Sequence, residues 1–196
     1  MTVLVAAPTY SGKDYALPAY LAAYKAFTYP DRDLFLVDNT PGTLSYTRKL
    51  RSLGVETAHI EPMPDFWDTI EMCWQLIVRR AHDLDCEHIA CIETDVICPP
   101  QTLEVLLAHA DGTHPVMAGV PQHDAYHFDM WTTSCALLRT DWLHESRYLW
   151  PTGFEVMVTQ ADPVPLKGLL TIAHLEDADE PPWRGGEGKV FGSGRG

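Results

Sequence analysis

Two carboxylates one residue apart, Glu93 and Asp95, close an apolar run in the stretch HIACIETDVICPP, residues 88–100. Unpaired charge is costly to bury. Such a pair is therefore either a solvated strand end or a holder of a cation. Carboxylate oxygens suit a hard divalent ion, Mg²⁺ or Mn²⁺. An ion held there could neutralise a diphosphate and act as a Lewis acid on a leaving group.

Other polar groups fall at comparable places. Pro8-Thr9-Tyr10 follows the apolar run TVLVAA, and Asp38-Asn39-Thr40 follows DLFLV. His123, His127, Asp124 and Asp129 crowd QHDAYHFDMW, which could suggest a metal site but reads better as a pocket lining or a solvated loop. Cys86, Cys91 and Cys98, with His82 and His88, have no closed zinc spacing, and Cys91 sits inside an apolar strand. With five cysteines and no framework spacing, the thiols are expected to be reduced. No glycine-rich phosphate loop follows the first strand, because PTYSGKD matches neither GxGxxG nor GxxxxGK[ST].

These groups must be positioned by alternating elements. The predicted order begins with a strand over 2–7, a helix over 15–27 and a strand over 33–40. A helix over 43–53 follows, capped by Gly54, then a strand over 55–60. A long helix over 65–84 carries an apolar stripe from Phe66 through Ile70, Cys73, Trp74 and Ile77 to Ala81. The opening stretch is the fourth strand; a helix over 102–110 and a strand over 115–120 come next. SCALLRTDWL gives a strand and a short helix, and LLTIAHLED, 169–177, a last strand ending in His174.

This pattern predicts an α/β fold: one domain with a mainly parallel sheet flanked by helices. Ligands of such sheets bind outside the carboxyl ends of the strands. Thr9 and Tyr10, Asp38 and Asn39, and Glu93 and Asp95 all fall there.

The 196 residues, 46% hydrophobic and 21% charged, suffice for one core. A net charge of −13 argues against nucleic-acid binding and against an anionic membrane surface. An anionic ligand would need a metal or a few placed cations. No apolar run reaches the roughly 20 residues of a membrane span. No basic leader precedes TVLVAA, so the expected location is cytoplasmic.

The succession strand–PTY, helix, strand–VDNT, long helix, strand–ETD–x₃–PP–helix resembles the nucleotide-sugar half of a GT-A-fold glycosyltransferase, near glycosyltransferase family 2. The resemblance covers roughly residues 2–143 and weakens beyond. It implies a nucleotide-diphosphate-sugar donor, with uridine favoured, and a Mn²⁺ or Mg²⁺ cofactor. Tyr10, beside Thr9, would pack on the nucleobase, and Asp38 would hydrogen-bond it. Glu93-Thr94-Asp95 stands for the family's Asp-x-Asp: Asp95 would be the direct metal ligand, and Glu93 would bind metal or ribose. His174 would complete the metal shell. Arg184, Lys189 and Arg195 could close over the diphosphate.

The family's Glu-Asp catalytic base is not present. Glu155, Asp162 and Asp129 are the candidates for deprotonating a hydroxyl acceptor of unknown identity. No Gln-x-x-Arg-Trp motif occurs, which argues against a processive synthase. The expected organisation is a GT-A-like domain over 1–180, with a nucleotide-sugar half to about 120 and an acceptor half over 121–180. A flexible glycine-rich tail follows over 181–196. The alternatives are a sugar-nucleotidyltransferase, which shares the sheet, and a non-catalytic nucleotide-sugar-binding or interaction subunit.

Overall fold

The computed structural model describes residues 2–117, 121–123, 129–131, 135–146, 164–166, 170, 172–175 and 189–191. The first half alternates regularly. β1 (Val3–Thr9) leads through a 3-10 turn (Ser11–Lys13) into α1 (Leu17–Ala26) and β2 (Arg32–Asp38). α2 (Ser45–Ser52), β3 (Glu56–His59), α3 (Phe66–Asp83) and β4 (His88–Ile92) follow. Then come a two-residue strand β5 (Val96–Ile97) and α4 (Thr102–Ala108). The second half contains β6 (Val116–Met117), β7 (Pro121–His123), β8 (Asp129–Trp131), β9 (Cys135–Arg139) and α5 (Thr140–Ser146). It ends with β10 (Val164–Pro165), β11 (Ile172–His174) and β12 (Lys189–Phe191).

The central sheet runs β10-β6-β9-β4-β1-β2-β3. It is mainly parallel, as the strand–helix alternation predicts; β9 alone runs against both of its neighbours. That reversal brings Cys135, the first residue of β9, opposite Ile92, the last of β4.

Both sheet faces are covered, so β1 is apolar at every step rather than alternately. Val3, Val5 and Ala7 pack with Leu17, Tyr20, Leu50 and Leu103 of the helices on one side. Leu4 and Ala6 pack with Trp74, Ile77 and Val78 of α3 on the other. Leu4 is fully buried, and truncating it to alanine would cost about 2–5 kcal/mol.

Local signals set the ends of the helices. The Asp65 carboxylate accepts from the Trp67 and Asp68 backbone N–H groups at 2.7 and 3.4 Å, capping α3. Gly54 has φ +82° just past α2, where a side chain would be strained.

Three features depart from the sequence reading. β5 was not anticipated: it is only two residues long and pairs antiparallel with β11. Phe66 does not belong to the buried stripe of α3 and is 63% exposed. It starts the helix, one turn ahead of the core-facing Ile70. The stretch expected to be a flexible tail contains β12, which pairs antiparallel with β11. Its sequence, Lys-Val-Phe, suits a strand, and β11 offers a free ladder edge. Of the expected fifth strand over 115–120, β6 covers Val116 and Met117; residues 118–120 lie outside the described residues.

Candidate active site

Three strand ends meet at the carboxyl edge of the sheet. Parallel pairing places Thr9 opposite Asp38, and β4 lies on the other side of β1. The Thr9 and Thr94 hydroxyls are 3.0 Å apart and buried, tying the end of β1 to the loop after β4. The Ser11 backbone N–H donates to Thr40 Oγ1 at 2.9 Å, tying the same loop to the end of β2. The crevice walls are thus fixed by short bonds between segments far apart in sequence.

Asp38 has no exposed surface. Its carboxylate accepts from the Thr40 backbone N–H at 2.8 Å and from the Thr47 hydroxyl at 2.6 Å. His59 Nδ1 stands 3.5 Å from its second oxygen. Arranged in this way, Asp38 holds the β2 loop in shape from beneath. The residue that faces the crevice is its neighbour Asn39.

A cavity of about 320 Å³ opens at this edge. Pro8, Thr9, Tyr10 and Lys13 form its side after β1, with Asn39 from β2 and Cys91 and Glu93 from the end of β4. Phe66, Trp67, Ile70 and Trp74 from the first half of α3 form the opposite side. Tyr10 is 44% exposed, and Trp67 53%. The Phe66 and Trp67 rings meet edge to face, with centroids 5.2 Å apart. Exposed aromatic rings lining a pocket favour a flat or partly apolar ligand such as a nucleobase or a sugar ring.

The acidic pair stands beside this cavity. Glu93 and Asp95 converge on one point, and the Lys13 ammonium holds that point: Nζ lies 2.9 Å from Glu93 Oε2 and 2.9 Å from Asp95 Oδ1. Burial works against the charge of Lys13, but the two carboxylates outweigh it and hold its pKa well above the ordinary lysine range. Asp95 is buried, while Glu93 keeps a partly open face toward the cavity. The backbone adds a further link. The Leu175 N–H donates to the Asp95 carbonyl at 2.7 Å, and His174 pairs with Val96 across β11 and β5. The backbone of His174 therefore runs beside the acidic turn.

The donor set fits a divalent cation. Two hard carboxylate oxygens gather around one positive charge, that of the Lys13 ammonium. Among the described residues no three His, Cys, Asp or Glu side chains form a metal cage. Mg²⁺ needs none, because it is commonly held by one or two carboxylates, waters and substrate phosphates.

The structure thus brings Thr9, Tyr10, Glu93 and Asp95 to one crevice and sets Asp38 beneath it. Asp129 begins β8, paired with His123, in a separate two-stranded sheet. Glu155, Asp162 and Arg184 lie outside the described residues. Lys13, Phe66 and Trp67 were not among the expected site residues, and Asn39 was expected at this edge only as a neighbour of Asp38. Phe66 and Trp67 carried no local signal of their own, since consecutive residues of α3 such as Ile77 and Val78 are both buried.

No protein-family model and no curated protein matches the sequence. Solved structures match the fold. S. aureus TarS superposes with a TM-score of 0.57 at 16% identity, over 85% of this chain and 35% of TarS. TarS 1–349 in complex with UDP gives 0.54 at 13%, over 84% of this chain and 57% of that one. The mannosyltransferase PcManGT from Pyrobaculum calidifontis, in complex with GDP-Man and Mn²⁺, gives 0.53 at 17%, over 74% and 46%. This chain spans about a third to just over half the length of these proteins. The fold is the GT-A-like α/β fold of these glycosyltransferases.

Proposed function

We propose that the protein is a glycosyltransferase that takes its sugar from a nucleotide-diphosphate donor. One observation carries this reading. An aromatic-lined cavity and a convergent acidic pair share the carboxyl edge of a GT-A-like sheet. Neighbours with this fold bind UDP, UDP-GlcNAc and GDP-Man. The donor base is proposed to be uracil, as in the UDP-bound neighbours.

In this reading Tyr10 stacks on the base, and Trp67 faces it across the cavity. Asn39 offers an amide to the base edge; Asp38 acts indirectly, by holding the loop that presents Asn39. Asp95 and Glu93 would hold Mg²⁺ or Mn²⁺, with His174 as a third ligand on the neighbouring strand. That ion would supply charge neutralisation for the departing diphosphate. Glu93, with its open face toward the cavity, also reaches toward ribose. An acid among Asp129, Glu155 and Asp162 would deprotonate the acceptor hydroxyl.

The sugar-nucleotidyltransferase alternative needs a loop of free backbone N–H groups to cradle a triphosphate. Backbone N–H groups of the turn after β1 are already engaged: Lys13 N–H donates to the Tyr10 carbonyl at 2.9 Å, and Ser11 N–H to Thr40. The geometry therefore favours the glycosyltransferase.

Thermal-shift and calorimetric titration with UDP- and GDP-sugars, each with and without Mn²⁺, tests the reading. The expected result is stabilisation that requires nucleotide and metal together. No stabilisation by any nucleotide sugar under either condition would overturn it.

A further inference from the structure

Lys13 and a divalent cation compete for the same two oxygens. The ammonium sits 2.9 Å from Glu93 Oε2 and from Asp95 Oδ1, so an ion cannot take both oxygens while Lys13 stays. Lys13 also lines the cavity together with Glu93, so its head group has somewhere to go. Its side chain is 20% exposed and springs from the last residue of a short turn, not from a strand. With Lys13 in place the cluster sums, among the described residues, to one negative charge: two carboxylates less one ammonium. A diphosphate arriving alone would meet that negative charge; a divalent cation arriving alone would have to evict a salt-bridged lysine. Arriving together, the cation takes the carboxylates, and the freed ammonium meets the diphosphate.

Resting on the glycosyltransferase reading, we infer that Lys13 is an exchangeable counter-ion that couples metal binding to donor binding. It holds Glu93 and Asp95 together before the ligands enter and transfers to a diphosphate oxygen when the cation replaces it. The coupling makes metal and nucleoside diphosphate bind synergistically and weakens the hold of the acidic pair on a cation that arrives on its own.

The test is Mn²⁺ binding by electron paramagnetic resonance, first with Mn²⁺ alone and then with UDP or GDP added. Lys13→Met should bind Mn²⁺ alone about tenfold or more tighter than the wild type, and the added nucleotide should tighten Mn²⁺ less than it does in the wild type. Lys49→Met removes the same charge from an exposed pair with Asp14 and should leave Mn²⁺ affinity unchanged. Equal Mn²⁺ affinity in the wild type and Lys13→Met, or equal gains in both lysine variants, would overturn the inference.

A measurement on the wild-type fold covers a Lys13→Met that does not fold. Lysines are ¹³C-labelled at Cε by growth on labelled lysine, and the Lys13 signal is assigned with Lys13→Arg. Saturating Mg²⁺ should move that signal, at a lower concentration when UDP is present, and a signal that stays put at saturation sinks the exchange. The metal-only arms contain no nucleotide, so a failure of the donor reading is seen separately, as absent UDP and GDP binding with the exchange intact.

Discussion

A methyl group placed on Gly12 would sit 2.2 Å from Cε2 of Tyr10. The Tyr10 ring lies directly over the glycine, and that packing fixes the ring on the cavity wall. Gly12→Ala must therefore move an exposed ring while disturbing little of the core. Nucleotide affinity should fall about 5- to 160-fold, comparable to Tyr10→Ala, because stacking on an aromatic is worth about 1–3 kcal/mol. Tyr10→Phe should bind nearly as well as wild type. Calorimetry with UDP and Mg²⁺ checks all three; undiminished binding by Gly12→Ala would rule out Tyr10 as the platform.

Asp38 and Thr47 make a different kind of contact, buried at 2.6 Å and between charged and neutral partners. Thr47→Val leaves a carboxylate oxygen without its hydroxyl partner in a place water does not reach. The expected loss of stability is about 1–3 kcal/mol, read from urea denaturation. Thr47→Ser keeps the hydroxyl and should lose less than half of that. If Thr47→Val were neutral, the Asp38–Thr47 bond would not be what holds the loop.

Asp95→Asn removes charge from the more buried member of the acidic pair. Metal-dependent donor hydrolysis should fall by about a hundredfold or more, since stabilisation of a departing anion is worth several kcal/mol. Glu93→Gln, at the more open position, should fall less. Full activity in Asp95→Asn, measured by nucleotide release, would remove Asp95 from the metal role.

Alkali should weaken the fold through the core face of α3. Burial, aided by the charge of Asp38, pushes the Cys73 thiol up to about 12 from an ordinary value of 9.0. The unfolded chain therefore loses this proton at a lower pH than the folded chain does. Stability is fully present below about pH 9 and is lost as pH rises from there toward 12. Tyr46, raised by burial to about 12 from 10.0, adds to the same trend. Urea midpoints at pH 7.5 and pH 10.5 should show the drop, and Cys73→Ala should show a smaller one. An identical drop in both proteins would remove Cys73 from the effect.

Much of this architecture is legible in the order of residues. Six elements, β1, α1, β2, α3, β4 and β9, begin or end within about three residues of where periodicity and punctuation put them. Asp65, Gly54 and the apolar run Val3–Ala7 act on their own neighbourhoods, so their meaning is local. The placing of Tyr10, Glu93 and Asp95 at one edge also followed, because parallel strands turn all their carboxyl ends to the same side. Short pieces were harder: β5 and β12 are two and three residues long and exist only because β11 gives them a ladder to join.

The sequence alone determined an α/β sheet with polar groups at its carboxyl edge, since burial of both faces and chain reversal after each strand are written in local pattern. Tertiary structure alone decided what those groups do to one another. It turned Asp38 inward onto Thr47, swung Phe66 and Trp67 out over the cavity, and carried Lys13 across 80 residues of chain to Glu93. A charge placed between two carboxylates is set by where two loops meet in space, and no spacing along the chain encodes that distance.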